Sequence, residues 1–189
     1  MRVCGKSDAL RAWLAAWMLG LALAAGAEFR IAEIQPKLIG DSLQFAGTLD
    51  LAFTPKVEEA LAKGIELTLV IDVKLNRVRR FWWDQNLGRW ALRRSIRFHA
   101  LAGQYLVSDP GASADNWESF TVLADALKYL GALNELKLTL PEAPPAGDYS
   151  VDLRVGLDIE ALPTPLRPVA YTSLSWRLNS GWTTWGVAR

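Results

Sequence analysis

The chain has 189 residues, 51% of them hydrophobic, and a formal net charge of +1 at pH 7. A chain of this length buries one complete core, so the composition does not require a second domain. The low net charge gives no electrostatic reason to expect a nucleic-acid partner, and none is predicted.

The first 27 residues have the pattern of an export signal. A basic start precedes an apolar run at residues 12–25, and Ala25-Gly26-Ala27 has the small-x-small pattern of a cleavage site. The apolar run is shorter than the ~20 residues that a membrane span needs. We therefore predict a signal peptide over residues 1–27 and an exported, periplasmic protein. The alternative is that the segment stays uncleaved as an inner-membrane anchor.

Two strands and a helix are predicted next. A short strand covers residues 29–34 and is closed by Pro36, and a longer one alternates apolar and polar side chains over residues 43–53. Thr54-Pro55 has the form of an N-cap and a first helical residue, and Gly64 ends this short helix.

An antiparallel meander is predicted over residues 65–108. Its first strand alternates over residues 65–76, the chain turns at residues 84–88 and returns through residues 90–100, and a third strand follows at residues 104–108. Arginine and tryptophan are concentrated at one end of this meander.

A second helix is predicted at about residues 120–130, with Ser119 as its N-cap and Gly131 past its end. Leucines and other apolar residues then alternate with polar residues in segments that are bounded by prolines and glycines. These segments predict strands at residues 136–140, 149–160 and 173–178.

The entry to the strand at residue 149 resembles a tyrosine corner. In immunoglobulin-like and fibronectin-type sandwiches, a tyrosine in the position of Tyr149 bonds back to the preceding backbone. About seven strands and two connecting helices support the same architecture. We predict a mainly β chain, an immunoglobulin/fibronectin-like antiparallel β-sandwich with two short helices in the connections, forming one domain over residues 28–189.

Several motifs resemble a family of exported proteobacterial proteins, the domain of unknown function family 4390. They lie at residues 57–67 and 120–127 and, most fully, at residues 149–185, which include Trp176-Arg177-Leu178-Asn179-Ser180-Gly181-Trp182. The resemblance implies a signal-bearing envelope protein, in some members encoded beside a sensor kinase. It supplies no catalytic or binding residues.

The chemistry of an enzyme is not evident. The one cysteine, Cys4, lies before the apolar run, and the one histidine, His99, alternates outward and is predicted to be a surface residue. No Gly-x-Ser-x-Gly motif, phosphate loop or zinc-binding pair is present. Two carboxylate pairs, Asp148/Asp152 and Asp158/Glu160, share strand faces and leave acid/base catalysis as the alternative. We predict no catalytic residue, no metal site and no cofactor.

Residues 77–97 contain seven arginines and one acid, Asp84. A hairpin register that keeps the apolar side chains on one face pairs Trp83 with Trp90, Arg79 with Arg94, Arg80 with Arg93, and Asn76 with Arg97. Like charges would then lie opposite each other, which is unfavourable unless an anion offsets them. The chain's own acids could do so, namely Glu58, Glu59, Glu118 or Asp125, with arginines stacked on Trp82, Trp83 and Trp90.

The other source of negative charge is external: an acidic partner protein, a lipid head group or a polyanionic glycan. The candidate binding residues are Arg80, Arg89, Arg93, Arg97 and Trp82. Four further tryptophans are predicted to fill the ends of the sandwich core, with a sugar-stacking platform as the alternative: Trp117, Trp176, Trp182 and Trp185.

The sequence thus predicts a non-enzymatic envelope domain that binds a protein partner, such as a membrane sensor. The alternative is direct binding of the anionic envelope surface, either lipid head groups or a polyanionic glycan, through the Arg/Trp hairpin. Salt dependence separates the two, because an arginine-driven contact with the envelope surface should weaken steeply as ionic strength rises.

Export generates the first testable prediction. The mature N-terminus should be Glu28 or a residue within one or two positions of it, because cleavage follows the small-x-small site. Intact-mass analysis of the exported protein measures this directly. Recovery of the chain from membrane fractions with Met1 still attached would support the uncleaved anchor instead.

Overall fold

A computed structural model describes residues 28–79, 83–108 and 116–187. Within these residues, the strands are β1 (Phe29–Ile39), β2 (Ser42–Leu51), β3 (Leu67–Arg77), β4 (Gln85–His99), β5 (Gln104–Ser108), β6 (Trp117–Phe120), β7 (Ala132–Thr139), β8 (Tyr149–Leu157) and β9 (Thr183–Gly186). The α-helices are α1 (Pro55–Ala62), α2 (Leu123–Gly131) and α3 (Arg167–Thr172). The predicted signal peptide, residues 1–27, lies outside the described residues.

The strands form two antiparallel sheets. The small sheet has three strands in the order β1-β2-β7, and the large sheet has six in the order β6-β5-β4-β3-β8-β9. Buried side chains from both sheets join one hydrophobic core. The predicted mainly β, antiparallel sandwich is confirmed, and a third short helix accompanies the two that were predicted.

The core is built mainly from strands that alternate buried and partly exposed side chains. Strand β3 contributes Leu67, Leu69, Ile71, Val73 and Leu75, all at most 1% exposed. Its neighbour β8 and strand β2 of the small sheet supply buried residues in the same alternation. Full burial of each such side chain stabilises the fold by about 1.5–3 kcal/mol, which makes these strands the main source of stability.

Helix α1 forms as predicted. The Thr54 hydroxyl accepts a hydrogen bond from the Val57 amide at 3.2 Å and donates one to the Ser175 carbonyl at 2.8 Å. Gly64 follows the helix with φ +82°, a left-handed conformation that favours glycine. The N-cap thus starts the helix and also fastens it to the C-terminal part of the chain.

Helix α2 begins later than predicted. Ser119 is not its N-cap, because it lies in β6 and pairs with Leu106 of β5. Its backbone therefore belongs to the sheet and not to the start of the helix. Gly131 is the last helical residue and does not lie past the end. A Cβ at Gly131 would lie 2.2 Å from the Leu49 carbonyl oxygen, so glycine is needed for α2 to pack against β2.

Other predictions along the chain are also wrong. Strand β1 continues through Pro36, because it lies at the edge of the small sheet, where a proline disrupts the fewest ladder bonds. The strand predicted at residues 173–178 is a 3₁₀ turn, Leu174–Trp176, in which the Ser173 hydroxyl accepts from the Ser175 amide. The last strand is β9, which pairs with β8.

The register of the β3–β4 hairpin differs from the predicted one. Val73 and not Trp83 lies opposite Trp90, and Val70 lies opposite Arg93. Gly88 was predicted in the turn but lies in β4, where a Cβ would come within 2.4 Å of the Trp90 ring. The connection between the two strands therefore spans residues 78–84. Because the shift is an even number of residues, each side chain keeps its predicted face.

One arginine lies on the core side of β4. Arg94 is 3% exposed, and its Nη1 donates to the carbonyls of Tyr129 (3.2 Å), Leu130 (2.6 Å) and Ala132 (2.8 Å). These carbonyls end helix α2, where backbone acceptors have no partner within the helix and a cation is favourable. Arg94 thereby joins α2 to the large sheet.

We expect Arg94→Met to keep the aliphatic packing but leave three buried carbonyls without this donor. The free energy of unfolding should fall by roughly 2–4 kcal/mol, measured by urea denaturation. The matched control is Arg93→Met, one residue away and exposed, which should cost less than about 1 kcal/mol. Equal losses in the two variants would contradict the role of Arg94.

Candidate functional site

Three arginines form a row on the outer face of the large sheet, the face turned away from the core. Arg89, Arg93 and Arg97 alternate along β4 with the core-facing side chains, as predicted. At about 3.3 Å per residue the row spans roughly 26 Å. We call it the arginine row.

Arg93 is held by an acid of the same chain. Its Nε lies 3.3 Å from Oδ2 of Asp158, with the Arg93 side chain 63% exposed and that of Asp158 14% exposed. Asp158 follows β8 and was not among the acids proposed to offset the arginines, although the sequence analysis considered it for acid/base chemistry. An exposed pair of this kind contributes about 0–1 kcal/mol, so it orients Arg93 more than it stabilises the fold.

The other acids on this face also have partners. Asp72 of β3 binds Arg154 of β8 at 2.5 Å. Asp152 accepts from Asn76 and Thr184, both at 2.7 Å. These carboxylates are therefore engaged by neighbours on the same sheet.

Glu59, one of the acids proposed to offset the arginines, serves its own helix instead. It binds Lys63 at 2.6 Å and Lys56 at 3.1 Å on α1. These two lysines, Lys63 first, hold the pKa of Glu59 below its usual value. Glu59 is therefore not the acid that balances the arginine row.

The two cations nearest the β3–β4 loop lie opposite each other. Lys74 of β3 pairs in register with Arg89 of β4, and the Arg89 side chain makes no ion pair or hydrogen bond with the part of the chain that the structure describes. Like charges that face each other across a sheet are destabilising by themselves. This position is where an added anion would be most favourable.

Tryptophans flank the cations at both ends of this face. The Trp117 ring lies 4.4 Å from Cζ of Arg97, and Trp182 lies 3.7 Å from Nζ of Lys74 and 4.8 Å from Cζ of Arg154. Trp182 is 42% exposed. Such cation–π contacts contribute about 0.5–1 kcal/mol at exposed sites and keep the cationic groups in place.

The prediction that four tryptophans fill the ends of the core is therefore correct for two of them. Trp176 is 2% exposed, and Trp185 is partly buried and packs against the core. Trp117 and Trp182 lie against cations instead. Their role on the outer face was missed, because sequence spacing does not show which strand a distant tryptophan will pack on.

The β3–β4 loop contains the remaining candidates. Arg80 and Trp82 lie outside the described residues, so their part in binding stays a prediction. Next to them, Trp83 is 96% exposed and the Arg79 side chain binds Gln85. Arg77 is turned away from the row, because its Nη2 donates to the Ala146 carbonyl at 2.5 Å.

The carboxylates considered for acid/base chemistry have other contacts. Asp158 binds Arg93 and accepts from the Glu160 amide at 3.1 Å, and Glu160 accepts from the Tyr171 hydroxyl. His99 is exposed, as predicted. Across the described ranges, no group of three or more His, Cys, Asp or Glu side chains is placed to hold a metal ion.

The described helices are also all too short or too polar to cross a membrane.

In comparisons with known proteins, the chain matches the family described as Domain of unknown function (DUF4390) over residues 26–186. No curated protein and no solved structure matches it.

Replacing an exposed tryptophan should lower the free energy of unfolding less than replacing a buried one. Trp182→Leu removes exposed cation–π contacts and should lower the free energy of unfolding by less than about 1 kcal/mol. Trp176→Leu, the matched buried control, should cost roughly 2–4 kcal/mol because it leaves a cavity. Urea denaturation measures both, and a Trp182→Leu loss as large as that of Trp176→Leu would show that Trp182 is a core residue.

Proposed function

The chain belongs to the DUF4390 family, and we propose that it is an exported, non-enzymatic domain that binds an acidic segment of an envelope protein. The binding surface we propose is the outer face of the large sheet, centred on the arginine row. The observation that carries the proposal is the facing pair Lys74 and Arg89, two cations that form no ion pair with the described part of the chain, although Asp152 of β8 lies in register beside Lys74.

The composition of this face supports a protein partner over a membrane. Five cations (Lys74, Arg89, Arg93, Arg97 and Arg154) are interspersed with three acids (Asp72, Asp152 and Asp158). Each of these acids would lie unfavourably against a uniformly anionic bilayer, whereas a folded partner can place its own charges to match both signs. Arginine and tryptophan are also the residues most enriched at protein interfaces.

Binding without catalysis is supported by the environment of the carboxylates. A general acid or base needs a carboxyl group that is free to exchange a proton with a substrate. Asp72, Asp152 and Asp158 are instead bonded to side chains on the same face. An envelope sensor with an acidic periplasmic segment is the kind of partner that fits a surface of this charge.

A second candidate function is contact with anionic lipid or a polyanionic glycan through the β3–β4 loop. The observation that favours it is Trp83, which is 96% exposed beside Val78 at 46%. An exposed tryptophan next to arginines is typical of side chains that sit at a membrane–water interface. This contact would use the tip of the loop and leave the sheet face free.

The central test replaces Arg89, Arg93 and Arg97 by glutamine together and compares crosslinked partners in intact cells by mass spectrometry. We expect specific crosslinks to disappear while stability changes by less than about 1 kcal/mol per site. The matched control makes the same charge change on the small sheet: Arg30, Lys37 and Lys137 to glutamine. Full retention of every crosslink in the arginine-row variant would sink the proposal.

Salt and lipid separate the two candidates. An arginine-driven contact with the crosslinked partner should weaken steeply as ionic strength rises. If the β3–β4 loop contacts lipid, the natural chain should bind vesicles that contain anionic phospholipid, and the Trp83→Ser variant should not. Vesicle binding that survives Trp83→Ser, or that is lost in the arginine-row variant alone, would contradict the lipid role of the loop.

A further inference from the structure

A groove of about 500 Å³ lies beside the arginine row, where the end of β8 meets α3 and the 3₁₀ turn Leu174–Trp176. Its polar lining comes from side chains of both signs: Asp72, Arg93, Arg154, Asp158, Glu160 and Arg177. We call it the β8–α3 groove. Apart from Arg93, its polar side chains are not members of the arginine row.

The charges that line the β8–α3 groove sum to zero and are mostly paired. The lining contains three arginines and three carboxylates. Arg93 forms an ion pair with Asp158 at 3.3 Å, and Arg154 forms one with Asp72 at 2.5 Å. Glu160 accepts from the Tyr171 hydroxyl. A charged ligand would have to break these pairs, so the groove is suited to a neutral molecule.

The pairs present hydrogen-bond donors directly beside acceptors. A guanidinium can only donate and a carboxylate can only accept, whereas a hydroxyl group does both. Neighbouring hydroxyls on a sugar ring can therefore bond to both members of an Arg–carboxylate pair without changing its charge. Asn179, which also lines the groove, adds a donor and an acceptor on one side chain.

Aromatic side chains complete the lining. Tyr171 is 48% exposed and offers a ring face beside the polar pairs. Trp176 lines the same groove with 2% exposure, and its indole N–H has no acceptor among the residues that the structure describes. Because this nitrogen is itself buried, Trp176 supplies the apolar floor of the groove and not a hydrogen bond to a ligand.

An extended peptide is a poorer match. Peptides that bind sheets usually add a strand to a free edge, and their affinity comes from backbone hydrogen bonds. Strand β8 is already paired on both sides, with β3 and β9. The groove thus offers side chains and no open backbone edge at this place.

We propose that the β8–α3 groove binds a neutral oligosaccharide. Its hydroxyls bond to the Arg–carboxylate pairs and to Glu160, and the Tyr171 ring packs on the apolar face of one sugar. This site shares Asp72, Arg93, Arg154 and Asp158 with the proposed protein-binding face, extends beyond it to Glu160 and Tyr171, and takes a ligand of different charge.

The test titrates the purified chain with two probes, the tetramers of N-acetylglucosamine and of glucose, by calorimetry and saturation-transfer NMR. We expect at least one tetramer to bind saturably and with little dependence on salt. Glu160→Gln and Tyr171→Ala should each weaken this binding by roughly tenfold or more, the loss expected for one hydrogen bond to a charged group or one ring contact. Both positions are exposed enough for the variants to fold.

Two controls separate this site from the arginine row. Glu58→Gln on α1 makes the same chemical change as Glu160→Gln outside the groove, and Arg89→Gln changes the row alone; both should leave sugar binding intact. Failure of both tetramers to bind, or binding that neither groove variant weakens, would overturn the proposal and leave the partner crosslinks unaffected. Binding of a neutral peptide in place of the sugars would overturn it as well.

Discussion

The pairing of β3 with β4 is the constraint on which the rest of the structure depends. Val73 opposite Trp90 aligns the buried residues of β3 with Leu92 and Ile96 of β4, and this alignment joins the two central strands of the large sheet. The same register places Lys74 opposite Arg89, because facing residues in a sheet share a face. Core formation and the cationic outer face are therefore two results of one pairing.

Strand β4 uses arginine in two opposite ways. Arg94 is buried and ends helix α2 through three carbonyls, so its charge is compensated by backbone dipoles. Arg93, the next residue toward the N-terminus, is exposed and rests on Asp158. The basic cluster in the sequence of β4 therefore contains one structural arginine and a separate row of surface arginines. The surface row is where a partner can bind without disturbing the core.

Much of the fold follows from local patterns, and much of the site does not. The alternation in β2, β3 and β8 predicted the strands, and Thr54 with Gly64 predicted helix α1, because these signals act within a few residues. The β3–β4 register could not be predicted in the same way, since shifting it by an even number of residues preserves every face. Asp158 directly follows β8, and Trp182 directly precedes β9. Both reach the outer face only because these strands pair with strands that are distant or late in the sequence, which no local motif encodes. The spacing of the arginines was enough to predict the arginine row. Identifying the residues that contact the row required the order of the strands in the sheet.

The register is therefore the claim to test first. In solution, backbone nuclear Overhauser effects across an antiparallel pair report which residues lie opposite each other, since facing Cα atoms are only about 4.5–5.5 Å apart. The β3–β4 register described above predicts cross-strand effects that join Val73 to Trp90 and Val70 to Arg93. Effects that join Trp83 to Trp90, with none between Val73 and Trp90, would contradict it and with it the assignment of Lys74 and Arg89 as facing cations.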